Sequence, residues 1–134
     1  MAVHDHQAGE GRSSNGLHPA DAVFLAIDIQ NDFCAGGALA VPDGDAVVPL
    51  VNRLASRFPV CVATQDWHPA GHSSFASTHP GKNPFDSAPV GGRDTTLWPD
   101  HCVAGTAGAG FHSGLDPRPD RKSTRLNSSH ESPS

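Results

Sequence analysis

The amino-acid sequence predicts an α/β fold, a three-layer parallel sheet flanked by helices, on three observations. A continuous apolar run from Ala22 to Ile27 ends in Asp28. An apolar stripe follows at three- and four-residue steps, through Val47, Leu50, Val51, Leu54, Ala55 and Phe58. A second short run, Val60 to Thr64, comes directly after it. Short apolar runs without alternation suit strands buried on both faces, as in a parallel sheet. The stripe places one apolar face on a helix. Pro42-Asp43-Gly44 is turn chemistry, and Asp45 is the expected N-cap. Pro49 falls in the first turn, where a missing N–H is tolerated, and Pro59 stops the helix. Strand, helix and strand of these lengths make a βαβ unit with a right-handed crossover.

Three regions are expected. Residues 1–20 are polar and rich in Gly, Ser and His, which reads as a disordered extension with His4 and His6 solvated. Residues 21–119 carry the domain. After Gln65 this region is expected to be loop-like for about fifty residues, a length that is usually functional. Residues 120–134 have neither helical nor strand period. Asp120 to His130, DRKSTRLNSSH, translates one frame of a common sequencing-library adapter, so 120–134 is read as an adapter-derived tail and Lys122 and Arg125 carry no functional weight.

The net charge of -5 offers no basic patch for nucleic acid. The longest apolar run is too short to span a bilayer, so no membrane partner is expected. The N-terminus has no apolar signal region, which makes a cytoplasmic location the default. Cys34, Cys61 and Cys102 are an odd set without paired spacing, and reduced thiols fit them best.

The chemistry gathers just after the second strand, where α/β folds bind ligands. Asp66 and His68 alternate about one residue, so both side chains can face one way in an extended segment. A carboxylate and an imidazole make a partial site for Zn, Mn or Fe, and His101 could supply a third ligand. Such a set leaves positions open for water or substrate. The competing reading is a scatter of surface histidines, which suits His18, His79, His112 and His130.

Four segments resemble the nicotinamidase branch of the isochorismatase-like cysteine hydrolases. They are Ile27-Asp28-Ile29-Gln30-Asn31-Asp32-Phe33, Gly36 to Val41, Thr64 to Pro69 with Ser74 to Ser77, and Leu97 to Ala109. The resemblance implies hydrolysis of nicotinamide to nicotinic acid and ammonia, in NAD salvage, through a covalent thioester. It implies that Asp28 is the acid/base member of a Cys–Asp–Lys triad; the competing role is a loop carboxylate capping the Asn31 or Asp32 amides. It implies that Asp66, His68 and His101 bind a divalent metal, zinc foremost with manganese or iron as alternatives, and that Ser74 approaches it through water. Phe33 and Trp98 would wall the substrate ring, with core packing as their alternative.

The resemblance also implies what has no counterpart. The triad lysine and cysteine belong to later strands, so only the N-terminal half of such a domain is expected here, without turnover. Lys82 lies in the long loop, and Cys34, Cys61 and Cys102 do not match the nucleophile's position. Two rivals stay open: another amidase of the superfamily, acting on pyrazinamide or N-carbamoylsarcosine, and a non-catalytic metal-binding module. The metal, the exact amide and the oligomeric state are not specified by the sequence.

Overall fold

The computed structural model describes residues 18–118 and 122–126 of the 134-residue chain. The strand–helix–strand unit forms as expected. β1 (Val23–Ile27) leads through α1 (Val47–Ala55) to β2 (Val60–Asp66), and the strands run parallel with Val23 opposite Val60 and Ile27 opposite Thr64. The helix begins two residues later than its expected cap. Asp45 lies inside a 3-10 turn, Gly44–Ala46, and its carboxylate accepts the Ala35 N–H at 3.1 Å instead of capping the helix. At the other end, the Arg118 guanidinium donates to the carbonyls of Ala55, the last residue of the helix, and of Phe58 beyond it, adding to the Phe58 N–H that Ala55 O already accepts.

One face of the sheet is the core. Ala26, Ile29, Val48, Ala63 and Leu115 are buried together, with Phe24, Val51 and Phe111 against them. The other face departs from expectation. Val23, Leu25 and Ile27 are more than half exposed, and Val60 is 43% exposed. Their run lacks alternation because it is suited to burial on both sides, but among the described residues α1, Phe111 and Leu115 pack on the opposite face.

The region after Gln65 holds more regular structure than expected. β2 continues to Asp66, and β3 (Ser87–Val90) pairs antiparallel with β4 (Arg93–Thr96). The turn between them is Gly91-Gly92, both at positive φ, the requirement of a two-residue hairpin of the type I′ kind. Ala88 and Leu97 bury against Ala76, fixing the hairpin beside the 3-10 turn Ala76–Thr78.

Both ends also differ from expectation where they are described. Pro19–Asp21 form a 3-10 turn whose Ala20 N–H donates to His18 Nδ1; residues 1–17 lie outside the described residues. β5 (Lys122–Leu126) runs parallel along β2, with Val62 opposite Lys122 and Asp66 opposite Leu126. All five of its side chains are exposed. The pairing is therefore a backbone matter: β2 offers an edge of N–H and C=O groups, which any extended segment can satisfy. Arg125 places its guanidinium 3.7 Å from the Trp67 ring centre. Among the described residues no helix is long and apolar enough to cross a membrane.

Candidate active site

The end of β1 turns sharply at Asp28, which takes a left-handed φ of 57°. Its N–H donates to Thr64 O and Thr64 Oγ1, and the Thr64 hydroxyl donates back to Asp28 Oδ1 at 2.8 Å. The carboxylate is thus held across the two strands by Thr64. Burial raises its pKa, the Thr64 hydrogen bond works against that, and the charge of Asp66 adds to the rise.

Beyond the turn, Gln30 is fully buried and clamps the neighbouring strand end. Its side-chain amide donates to Asp66 O and Ala109 O, both at 2.8 Å, and its Oε1 accepts the Asp66 N–H at 2.8 Å. Asp32 does the same for the loops. Its Oδ2 accepts the Cys102 N–H at 2.7 Å and its Oδ1 the Ala38 N–H at 3.1 Å. Glycine is required beside it: a Cβ on Gly37 would collide with the Asn31 and Asp32 carbonyl oxygens, and one on Gly108 with the Asp32 carboxylate.

These ties bring three groups of metal-binding type to one point. Asp66 Oδ2 lies 2.9 Å from His68 Nε2 and 3.4 Å from His101 Nε2. The two histidine loops are joined backbone to backbone, His68 N–H to Cys102 O and Ala104 N–H to His68 O. Phe75, fully buried, meets the rings of His68, His72 and His101 edge-on at 5.4–5.7 Å and forms their floor. Burial alone would raise the Asp66 carboxyl. Hydrogen bonds from His101 and His68, with their charge, outweigh it and hold the group well below the usual carboxylate range. At His101 burial opposes the charged form, but Asp66 and the Pro99 carbonyl win and raise its pKa.

Two clusters of metal-binding type occur among the described residues, Asp66-His68-His101 and Cys34-Asp45-His112. Their hydrogen bonds separate them. His101 Nδ1 faces the Pro99 carbonyl at 2.8 Å, so Nδ1 keeps its proton and Nε2, beside Asp66, is the nitrogen whose lone pair a metal would take once its own proton is displaced. His68 Nδ1 is buried without a hydrogen-bond partner among the described residues, so no protein group at Nδ1 competes for that ring's orientation. Two imidazole nitrogens and a carboxylate oxygen converging in a half-buried site fit a divalent transition metal. In the second cluster His112 Nδ1 accepts the Gly114 N–H at 2.9 Å, which puts the proton on Nε2, where it meets Asp45 Oδ1 at 3.0 Å. That network is complete without a cation.

The first cluster opens into a cleft of about 770 Å³. Of the residues singled out in the sequence, Phe33, Asp66, His68, Ser74, Trp98 and His101 all line it; Asp28 is not among the lining residues. The Phe33 ring lies 5.8 Å from that of His101, and Phe85 stands edge-on to Trp98 at 5.9 Å. Val90, Arg93 and Thr95 reach the cleft from the β3–β4 hairpin, and His72 from the loop after His68. The sequence reading missed these four; Gly91-Gly92 was the available signal for the hairpin. It also missed Gln30 and Asp32 as clamps. Cys102 is fully buried with its thiol pushed up to about 12 by burial and by the charges of Asp66, Asp32 and Asp28.

An isochorismatase-domain family model matches residues 22–127. The chain belongs to the isochorismatase family. It is 53% identical over 93 residues to the nicotinamidase of Escherichia coli, a match spanning 66% of this chain and 43% of that enzyme. Among solved structures, a nicotinamidase/pyrazinamidase of Acinetobacter baumanii superposes with a TM-score of 0.71 at 43% identity, covering 78% of this chain and 50% of that one. The pyrazinamidase of Pyrococcus horikoshii in complex with zinc gives 0.62 at 33% identity, covering 84% and 55%. The chain thus spans about half the length of the relatives it matches.

Replacing Gln30 by Ala should take the side-chain partner from the Asp66 N–H and C=O and leave Ala109 O with Gln65 Nε2 alone, at 3.0 Å. The expected loss is on the order of 3 kcal/mol, read by urea denaturation. A loss under about 0.5 kcal/mol, typical of an ordinary surface site, would show that the clamp carries no load.

Proposed function

We propose that this chain is the N-terminal part of a nicotinamidase, which hydrolyses nicotinamide to nicotinic acid and ammonia and so serves NAD salvage. The observation that carries the reading is the cleft itself. It joins Asp66, His68 and His101 to two aromatic walls, Phe33 and Trp98, in a chain 53% identical over 93 residues to a nicotinamidase.

The residues divide the work by position. Phe33 and Trp98 hold a flat ring by their faces and exclude water from it. Asp66, His68 and His101 would hold the metal, zinc by the parallel with the pyrazinamidase complex, with manganese or iron also suited to the donors. When bound, that ion supplies a Lewis-acid anchor for a heteroaromatic nitrogen. Ser74 offers a hydroxyl from the cleft wall. Asp28, whose pKa is raised, is suited to accept a proton from a thiol and return it to departing ammonia. The thiol and its lysine partner are assigned to the part of the relatives' length that this chain does not span.

The test compares ammonia release from nicotinamide, pyrazinamide and N-carbamoylsarcosine by the full-length gene product. Nicotinamide is expected to be cleaved, with pyrazinamide as a ring-bearing analogue. Turnover confined to N-carbamoylsarcosine would contradict the aromatic-cleft reading. A non-catalytic metal-binding protein would cleave none of the three.

A further inference from the structure

His72 was assigned no part by the sequence, yet it is among the most buried polar side chains, 3% exposed. Its ring lies 4.7 Å from that of His68 and rests on the edge of Phe75. It lines the same cleft as Ser74 and the ligating triad. Two contacts converge on one of its nitrogens. The Ser74 N–H donates to His72 Nδ1 at 3.2 Å, and Ser74 Oγ lies 2.7 Å from the same atom.

The first contact decides the second. A backbone N–H can only donate, so His72 Nδ1 is an acceptor with its lone pair in the plane of the ring. The Ser74 hydroxyl must then donate as well. A serine hydroxyl has one proton and two lone pairs, and its rotor is otherwise free to aim either at a neighbour. With the proton committed to His72, Ser74 Oγ can offer only lone pairs to anything else it meets.

We propose that His72 is a positioning residue that fixes the polarity of the Ser74 hydroxyl, making Ser74 an obligate acceptor toward the metal site. This rests on the proposed metal at Asp66, His68 and His101. An oxygen presenting lone pairs suits a cation or the protons of a water bound to it, whereas one presenting its proton would oppose the cation. His72 thus strengthens metal binding by setting what Ser74 shows to the cleft, without contributing a ligand of its own.

The test is a double-mutant cycle on the zinc dissociation constant of the chain, measured by chelator competition. His72→Leu removes the acceptor, and Ser74→Ala removes the hydroxyl. Each should weaken zinc binding about tenfold, the scale of a lost outer-shell partner. The double variant should be no weaker than either single one, because His72 acts only through Ser74. His72→Asn, whose side-chain oxygen can accept in place of Nδ1, should restore binding to near that of the unsubstituted chain. Losses that multiply in the double variant would overturn the proposal, since His72 would then act independently of the hydroxyl. So would His72→Leu with unchanged affinity, or His72→Asn as weak as His72→Leu. Zinc binding absent from the unsubstituted chain would instead overturn the metal reading, and this inference with it.

Discussion

Replacing His68 by Ala should abolish stoichiometric metal binding, lowering zinc affinity by more than about a hundredfold. That figure is a floor, because loss of an outer-shell partner alone costs about 10- to 100-fold and His68 is placed to be a direct ligand. The substitution removes one of two nitrogens converging on Asp66 Oδ2. It leaves Asp66 and His101, two donors that cannot close a site for a transition metal. The fold should survive, since His68 is tied through its backbone to Cys102 and Ala104 and those bonds persist in the variant. Elemental analysis of the dialysed protein, with circular dichroism as the control, reads the outcome. Equal zinc in both proteins would place the metal elsewhere.

The 134-residue chain itself should release no ammonia from nicotinamide, at least about 10⁴-fold less per mole than an intact relative, because covalent amide hydrolysis needs a thiolate. None of its three free cysteines can serve. Cys102, with its thiol pushed up to about 12, would be ionised in about one molecule in 10⁵ at neutral pH. Cys61 is 2% exposed on the core side of β2. Cys34 lies in the other hydrogen-bonded cluster, its pKa raised by burial and then by Asp45, and away from the lining of the cleft. The thiol proton would also need Asp28, which is held by Thr64 on the other strand. An ammonia-release assay on the purified chain settles this. Turnover lost on Cys102→Ser would refute the assignment and make Cys102 an active nucleophile.

The parts of this molecule written in local pattern were legible. The apolar run at Val23–Ile27 and the stripe from Val47 to Ala55 gave a parallel βαβ unit because each depends on neighbours a few residues away. Asp66 and His68 were legible for the same reason, two positions apart on one extended segment. His101 could be offered as a third ligand, but no local period places it beside the other two. What failed to show was long-range. Gln30 reaches Asp66 across 36 positions and Ala109 across 79, and Asp32 reaches Cys102 across 70. No periodicity encodes such partners, so both read as loop polar residues until the fold brought the strand ends together. Asp45 looked like a helix cap because its type and place fit, but the Ala35 amide took its carboxylate. The open face of β1 failed differently. Val23, Leu25 and Ile27 carry the composition of a doubly covered strand, and composition states what a strand can bury, not what lies on it.

Zinc-edge X-ray absorption on the zinc-loaded chain tests the central assignment most directly, because the two ligand clusters differ in one element. Binding at Asp66, His68 and His101 should give a first shell of nitrogen and oxygen alone at about 2.0–2.1 Å, with outer scattering from two imidazole rings. A sulfur shell at about 2.3 Å would contradict the assignment; of the two ligand clusters among the described residues, the one of Cys34, Asp45 and His112 is the one that contains sulfur.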